Sequence, residues 1–241
     1  MIDLSTGIII PTYNEAENLP RMIEQLFALP IEDLRVLVMD DNSPDGTGAV
    51  AEELASAHPG KMRVIHRAGK LGLGTAYIAG FKEMLKTDVD YIVQMDADFS
   101  HPPEKLIEMI AAAGNVDIVI GSRYTKGGSL DENWPVWRKA LSSFGNSYAR
   151  TILASRVRDL TGGFRLYKHE ALALMPLDRI RSNGYVFQVE TLYVAEKLGL
   201  KIVEIPIYFA ERKFGESKMS LSIQIEAATR VWQLLSRYRD L

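Results

Sequence analysis

The feature that most restricts the fold is a repeated pattern of short apolar runs, each followed by polar residues and then by a segment with helical periodicity. The apolar runs lie at 7–10, 35–39, 62–65, 91–95 and 117–120, and the helical segments at 15–28, 47–57, 74–85 and 103–113. Short runs without internal alternation are typical of strands buried on both faces. The pattern predicts an α/β fold with a mostly parallel central sheet flanked by helices.

The second half of the chain is less regular. We predict a loop at 124–135, an amphipathic helix at 137–153, a strand at 163–167, a helix at 187–198, a strand at 201–209 and a helix at 220–238. The last helix has apolar residues at helical spacing, which predicts docking against the core through Leu221, Ile225, Ala228, Trp232 and Leu235. No Pro-, Gly- or Ser-rich linker interrupts the 241 residues, so one domain is expected.

Composition excludes several classes of protein. A net charge of −3 argues against non-specific nucleic-acid binding, so no nucleic-acid partner is expected. The absence of cysteine excludes disulfides and cysteine-ligated zinc and fits a reducing compartment. No segment approaches the roughly 20 apolar residues that span a bilayer, and no signal peptide is visible. We therefore expect no transmembrane domain.

Polar residues follow three of the predicted strands at the point where each strand ends. These clusters lie at 12–15, 40–41 and 96–98. In a parallel sheet the carboxyl ends of the strands meet at one edge, where ligands of α/β proteins bind. The sequence therefore predicts a ligand site at this edge.

Asp96 and Asp98 carry the most specific chemistry of the three clusters. They are two carboxylates separated by one residue, directly after a predicted buried strand. Such oxygen ligands suit Mg²⁺ or Mn²⁺, which combine one or two protein carboxylates with phosphate oxygens. An isolated pair would more often be a solvated acidic turn, but the strand context favours a cation site that neutralises charge on a departing phosphate.

The other two clusters suit a nucleoside. Asp41 can accept hydrogen bonds from a base or a ribose, and Tyr13 offers a ring to pack against a base, with the Glu15 carboxylate nearby. The alternative is ordinary turn and capping chemistry, which the Asn, Ser and Asp residues at 41–47 also serve. Both interpretations can hold, because different residues can cap a helix and contact a ligand.

These segments resemble the signature of inverting family 2 glycosyltransferases with a GT-A fold. Their sequences are PTYNE at 11–15, DDNSPDGT at 40–47 and DAD at 96–98. Three later segments narrow the resemblance to dolichol-phosphate (polyprenol-phosphate) mannosyltransferases: GSRY at 121–124, TGGFR at 161–165 and RKFGESK at 212–218. The resemblance covers nearly the whole chain. It implies a Rossmann-like GT-A catalytic domain over 1–241, with a nucleotide-sugar-binding half at 1–122 and an acceptor-binding half with the C-terminal helix at 123–241.

The resemblance also implies a reaction and a set of site residues. Mannose would pass from GDP-mannose to dolichyl or polyprenyl phosphate, with inversion and with Mg²⁺ or Mn²⁺ as cofactor. The guanosine side of the donor would be held by Pro11, Tyr13, Glu15, Met39 and Asp41. The remaining donor contacts would come from Asp96, Ala97 and Asp98, with Asp98 the principal metal ligand. Phosphates would be contacted by Arg123, Arg212 and Lys218, and the segment 215–218 is expected to close over the donor as a flap.

The acceptor side is expected to work without a catalytic base. A lipid phosphate is already anionic at neutral pH, so catalysis has to bring two anions together by charge screening and in-line positioning. Together with Asp98, the candidate catalytic residues are Arg123 and Arg138, which would guide the acceptor phosphate. His101 follows the paired carboxylates, where it would serve either as a ligand or base or, more commonly, as the cap of the next helix.

The predicted helix at 137–153 and the residues before it suggest a membrane contact. Aromatic, aliphatic and cationic side chains occur together in this stretch: Trp134, Val136, Trp137, Arg138, Lys139, Leu141 and Phe144. The composition suits an interfacial helix on an anionic membrane, and a core-packing helix is the alternative. Some relatives carry transmembrane helices after the catalytic domain, so this chain is expected to be an anchorless, peripheral form at the cytoplasmic face. A small membrane anchoring partner is one route to that membrane.

Two other functions compete with mannosyl transfer. The same fold could use UDP-glucose or another sugar nucleotide with a polyprenyl phosphate, because a few contacts decide the base and the sugar. A non-catalytic nucleotide-binding subunit is the second alternative, although such a subunit would not need Asp96, Asp98, Arg212 and Lys218 together. A dehydrogenase is disfavoured, because Gly72 and Gly74 are followed by Tyr77 where the dinucleotide fingerprint requires glycine.

Overall fold

The computed structural model describes residues 4–210 and 221–241, and its centre is a twisted sheet of seven strands. In chain order the strands are β1 Thr6–Thr12, β2 Leu34–Asp40, β3 Met62–His66, β4 Tyr91–Gln94, β5 Ile118–Ser122, β6 Ser129–Leu130, β7 Arg165–Lys168, β8 Ile202–Pro206 and β9 Tyr208–Phe209. The sheet order is β3-β2-β1-β4-β7-β5-β8, and β6 pairs separately with β9. All neighbours in the large sheet are parallel except the pairs that β7 makes with β4 and β5. The predicted mostly parallel sheet is confirmed. The antiparallel direction of β7 was not part of the prediction.

Helices cover both faces of this sheet. They are α1 Leu19–Phe27, α2 Thr47–Ala57, α3 Leu73–Met84, α4 Lys105–Ala112, α5 Val136–Leu153, α6 His169–Ala173, α7 Gly184–Lys197 and α8 Leu221–Arg237, with a 3₁₀ turn at Leu177–Arg179. Successive side chains of β1 alternate between the two cores, as a buried strand requires. Ile9 packs with residues of α3, α5, α7 and α8, whereas Ile8 and Ile10 pack with those of α1 and α4.

Several predicted boundaries move for identifiable reasons. The first helix was predicted from residue 15 but begins at Leu19, with Pro20 in its first turn, where the missing N–H costs nothing. Asn14, the residue before the predicted start, has a φ of 62°, which is typical of a turn and not of a helix. The predicted strand at 201–209 is divided into β8 and β9 at Ile207, and the predicted loop at 124–135 contains β6.

Helices α8 and α5 pack against the core through a few of their described side chains. Among the described side chains of α8, Val231 and Leu234 are buried, as is Tyr238 just past the end of the helix, while Trp232 is 58% exposed. The helix docks as predicted, and Leu235 is half-buried against the core, but the prediction for Trp232 is wrong. Ala228 is half-buried, and the side chains of Leu221 and Ile225 lie outside the described part of the chain. In α5 the buried residues Asn146, Ala149 and Leu153 all lie in the C-terminal half.

Candidate functional site

The sheet brings the predicted polar clusters to one edge. Strand β1 is paired with β2 up to Thr12 opposite Asp40, and with β4 up to Ile9 opposite Gln94. The segments that leave these strands therefore emerge side by side. Strand β7 runs the other way, and its first residue, Arg165, lies opposite Gln94. The TGGFR segment consequently enters the sheet at the same edge.

The first two clusters are joined directly by hydrogen bonds. The Asn14 N–H donates to Ser43 Oγ at 3.1 Å, the Glu15 N–H to Thr47 Oγ1 at 2.9 Å, and the Ala16 N–H to Asp45 Oδ2 at 3.1 Å. Burial opposes ionisation of Asp45, but the hydrogen bonds from Thr47 and Ala16 lower its pKa. The turn interpretation of this segment is thus correct, and the turn fixes the position of the PTYNE segment. The capping interpretation is wrong, because α2 has Gly46 at its N-cap position and no side-chain capping bond.

Asp41 is held by the loop that follows β3. Its Oδ1 accepts a hydrogen bond from Arg67 Nη1 at 2.5 Å, and its Oδ2 accepts from the N–H groups of Leu71 and Gly72 at 3.0 and 3.1 Å. Both carboxylate oxygens therefore hold the loop at 67–72. Next to it, Lys70 Nζ lies 3.9 Å from the centroid of the Tyr13 ring. These contacts form one wall of the predicted nucleoside site.

The other residues predicted on the nucleoside side differ in exposure. The Pro11 and Glu15 side chains are half-buried, and Glu15 Oε2 accepts a hydrogen bond from Asn18 Nδ2 at 2.7 Å. The Met39 side chain is buried in the core beneath the edge. The Ala97 methyl group is buried as well. A contact between Ala97 and a donor would therefore use its backbone.

Asp96 and Asp98 lie just past β4, and each is fixed by a neighbour. Asp96 Oδ1 accepts a hydrogen bond from the Tyr77 hydroxyl at 2.8 Å. Burial and the Asp96 carboxylate raise the pKa of Tyr77, so the phenol remains a proton donor at neutral pH. Asp98 is buried, and its Oδ1 accepts from the N–H and hydroxyl of Ser100 at 3.1 and 2.6 Å.

This donor set fits a hard divalent cation. Within residues 4–210 and 221–241 no group of three or more His, Cys, Asp or Glu side chains could enclose a metal ion. Asp96 and Asp98 supply two carboxylates, and Mg²⁺ or Mn²⁺ commonly takes its remaining ligands from substrate phosphates and water. The arrangement is that of a site that a phosphate-bearing ligand completes.

Arg123 directly follows β5 and is buried against Asp159. Its Nε and Nη2 donate to the two Asp159 oxygens at 2.8 and 2.7 Å, and its backbone N–H donates to Oδ2 at 2.9 Å. Nη2 also donates to Thr161 Oγ1 at 2.7 Å. Burial alone would raise the pKa of Asp159, but Arg123 outweighs it and lowers that pKa. Arg123 and Asp159 thus form a buried, two-pronged ion pair.

Of the other predicted basic side chains, the structure describes Arg138 but not Arg212 and Lys218. Arg138, in the first turn of α5, stacks its guanidinium 3.7 Å from the centroid of the Trp134 ring. Arg212 and Lys218, with the predicted flap, lie outside the described residues. Arg123 and Arg138 are both on the segments that follow β5.

His101 does not cap the next helix. Helix α4 begins at Lys105 with Glu104 at its N-cap position and no side-chain capping bond. Instead, His101 Nδ1 accepts a hydrogen bond from the Asp96 N–H at 3.0 Å, and the ring is buried. The capping hypothesis is therefore wrong, and Nδ1 is committed to the backbone of the paired-carboxylate segment.

Sequence reasoning missed the partners of the predicted residues. Tyr77 was noted only as a mismatch to a dinucleotide fingerprint, and its signal was a hydroxyl on an otherwise apolar helix face. Asp159 is the partner of Arg123 across 36 residues. Its one sequence signal was a carboxylate two residues before the TGGFR segment.

Comparison with known proteins agrees with this geometry. The profile described as Glycosyl transferase family 2 matches residues 7–174. Polyprenol monophosphomannose synthase of Mycolicibacterium smegmatis is 45% identical over 236 residues, which cover 96% of this chain and 88% of the relative. Undecaprenyl-phosphate mannosyltransferase of Micrococcus luteus is 47% identical, with coverage of 97% and 96%.

Solved structures show the same fold at lower identity. Glucosyl-3-phosphoglycerate synthase from Mycobacterium tuberculosis, in complex with Mn²⁺, UDP and glucosyl-3-phosphoglycerate, has a TM-score of 0.66 and 18% identity, covering 98% of this chain and 80% of that one. Its complex with phosphoglyceric acid gives a TM-score of 0.65 at 19% identity. The predicted GT-A fold and the predicted glycosyltransferase activity are confirmed, and the chain belongs to glycosyl transferase family 2.

Proposed function

We propose that the chain transfers mannose from GDP-mannose to a polyprenyl phosphate such as dolichyl phosphate, with inversion at the anomeric carbon. The observation that carries this proposal is the nearly full-length similarity to two mannosyltransferases, at 45% and 47% identity, whose names specify polyprenyl acceptors. The aligned regions cover 96% and 97% of the chain, so the similarity extends over both 1–122 and 123–241.

The donor half of this proposal is residues 1–122. The wall formed by Tyr13, Lys70 and the Asp41-anchored loop would take the guanosine, with Pro11, Glu15 and Met39 beside or beneath it. The paired carboxylates at the end of β4 would face the diphosphate. A bound Mg²⁺ or Mn²⁺, held by Asp98 and Asp96, would neutralise charge on the departing diphosphate. Arg212 and Lys218 would add positive charge around the same phosphates.

The acceptor half is residues 123–241, and its chemistry requires no general base. The acceptor phosphate is anionic at neutral pH, so one of its oxygens can attack the anomeric carbon without first losing a proton. The bond to the diphosphate oxygen breaks as the new bond forms, and GDP leaves with the electron pair. Arg123 and Arg138 would orient the incoming phosphate for this in-line displacement.

Helix α5 supports a peripheral contact with the membrane that holds the acceptor. In its N-terminal half Val136, Trp137 and Phe144 are 82%, 67% and 68% exposed. Arg138 and Lys139 lie among them, and this combination favours insertion at an anionic lipid interface. None of the helices in the described parts of the chain is long and apolar enough to cross a bilayer. Contact at the cytoplasmic face, direct or through a small anchoring partner, completes the proposal.

The test is a transfer assay with matched donors. Purified protein, Mg²⁺ or Mn²⁺ and a short polyprenyl phosphate are incubated with GDP-mannose, UDP-glucose or UDP-GlcNAc, and glycolipid is measured by mass spectrometry. We expect a mannosyl lipid from GDP-mannose alone, and NMR of the product should show the inverted anomer. Product from a UDP-sugar alone would refute GDP-mannose as the donor. Absence of product from every donor, with added membranes as well, would refute the activity.

A further inference from the structure

We propose that Tyr77 and His101 are positioning residues that hold the paired-carboxylate segment 96–98 at a fixed position relative to Arg123. This inference rests on the proposed function, because it concerns the same site. Tyr77 was assigned no contact by the sequence, and His101 was considered there as a ligand, a base or a helix cap but not as a positioning residue. Both are buried, with exposures of 0% for Tyr77 and 1% for His101.

The two residues fix Asp96 from two sides. The Tyr77 hydroxyl donates to Asp96 Oδ1 at 2.8 Å, which orients the carboxylate. His101 Nδ1 accepts from the Asp96 N–H at 3.0 Å, which orients the backbone on which that carboxylate and Asp98 are carried. Partners that orient metal-ligating groups in this way tune metal affinity, and their loss typically costs about 10- to 100-fold.

The His101 ring cannot turn freely, because aromatic rings and a glycine enclose it. It stacks on Phe164 with the ring centroids 5.1 Å apart and the planes 10° apart, and it meets the edge of Phe209 at 5.8 Å. A Cβ atom on Gly163 would lie 3.2 Å from His101 Cε1 and 3.3 Å from Gln188 Nε2. The second glycine of the TGGFR segment therefore leaves the space that this ring fills.

Phe164 in turn is fixed to the strand that precedes Arg123. The Phe164 carbonyl accepts a hydrogen bond from the Gly121 N–H at 2.9 Å, two residues before Arg123. The Arg123 guanidinium also lies 5.1 Å from the centroid of the Phe209 ring, which His101 meets edge-on. One imidazole thus contacts both the carboxylate segment and the aromatic pair next to Arg123.

The consequence concerns the distance between the two substrates. If Asp96 and Asp98 place the donor and Arg123 places the acceptor phosphate, the His101 ring sets the spacing between them. A misplacement of about 1 Å can cost 100-fold in turnover. The hydrogen bond and the ring therefore have separable roles, the first in holding the carboxylate segment and the second in spacing the substrates.

Two substitutions of His101 separate these roles. His101→Phe keeps a flat ring against Phe164 but removes the acceptor of the Asp96 N–H. We expect Mn²⁺ affinity in the presence of GDP, measured by electron paramagnetic resonance, to fall about 10-fold or more. His101→Asn can place an amide oxygen near the position of Nδ1 but removes the ring. We expect its Mn²⁺ affinity to stay within about threefold while kcat falls about 10-fold or more at little changed KM.

Tyr77→Phe removes only the hydroxyl that contacts Asp96 and is expected to weaken Mn²⁺ binding about 10-fold. The matched control is Tyr91→Phe at the opposite end of β4, which should leave Mn²⁺ affinity and kcat unchanged. Thermal unfolding of each variant shows whether it is folded. If His101→Phe is unfolded, the results for Tyr77→Phe and His101→Asn test the proposal.

Mn²⁺ affinity and kcat within twofold of the wild type in the folded Tyr77 and His101 variants would overturn the proposal. If these variants behave as the wild type while Asp98→Ala loses Mn²⁺, only the positioning roles fail and the metal site stands. If Asp98→Ala also keeps Mn²⁺ binding, the metal site of the proposed function fails, and the positioning roles fail with it.

Discussion

Asp159→Ala should destabilise the protein far more than the loss of an exposed ion pair. Asp159 is fully buried and accepts three hydrogen bonds from Arg123, at 2.7, 2.8 and 2.9 Å. Its removal leaves the Arg123 guanidinium buried opposite no carboxylate at that position, which costs about 3–5 kcal/mol. For a chain of this size each kcal/mol lowers Tm by about 2–4 °C, so we expect a loss of about 6–20 °C.

Scanning calorimetry and urea unfolding at neutral pH measure this effect. The control is Asp88→Ala, which removes one of the two carboxylates paired with Arg35, at a position where the Asp88 side chain is 83% exposed, and Tm should barely change. If Asp159→Ala lowers Tm no more than this control does, the buried pair is not a stability determinant.

A paired replacement separates stability from catalysis. Arg123→Met combined with Asp159→Leu removes both charges and should recover much of the lost Tm, because an apolar pair of similar volume can replace a buried ion pair. Transfer to the polyprenyl phosphate should remain lost. Turnover close to that of the wild type in the paired variant would remove Arg123 from the acceptor site.

The remaining predictions concern the metal site, the exposed half of α5 and the dependence of the free energy of unfolding on pH below about 4. Asp98→Asn should reduce transfer by at least about 100-fold and abolish metal-dependent GDP binding in calorimetric titrations, while Tm stays close to that of the wild type; a normal turnover would refute the metal assignment. Replacing Trp137 and Phe144 with Ser should weaken binding to anionic vesicles in a sedimentation assay without lowering Tm, because both side chains are about two-thirds exposed. The Arg179 guanidinium lowers the pKa of Asp240 from 3.8 to about 2. The stabilising contribution of Asp240 is therefore complete above about pH 4 and is lost as pH falls toward 2, so the stability difference between wild type and Asp240→Asn should shrink over that range.

The sequence predicted the sheet well because its strands are short apolar runs buried on both faces. Runs of this type leave little ambiguity about which residues form strands. In a parallel sheet their polar ends fall at one edge, and this does not depend on how the helices pack. Asp41, Asp96 and Asp98 could be assigned to that edge on this basis. The direction of β7 could not, since an antiparallel strand of four residues, three of them buried, has no distinct sequence pattern.

The contacts that hold the site were not predictable, because they join residues far apart in the chain. Asp159 meets Arg123 across 36 residues, and Tyr77 meets Asp96 across 19. The local signals, a hydroxyl on an apolar helix face and a carboxylate near the TGGFR segment, do not indicate which residue each one meets. The prediction that Trp232 docks against the core failed for a related reason. Trp232 fits a helical stripe with Leu235, but its indole N–H donates to the Tyr148 hydroxyl at the surface of α5 while Val231 and Leu234 are buried.

The pairing of Arg123 changes how the two anionic substrates can be brought together. A guanidinium that shares its Nε and Nη2 with a buried carboxylate offers a fixed direction to an incoming phosphate, but Asp159 offsets most of its charge. The net positive charge that screens the acceptor phosphate from the donor must therefore come largely from other groups. In the proposed mechanism these are the divalent cation at Asp96 and Asp98, together with Arg138, Arg212 and Lys218. Catalysis on this view depends on Arg123 for orientation and on the cation for charge. Exchange of Arg123 for Lys, which keeps the charge but loses the planar fork, should accordingly impair turnover almost as much as its removal.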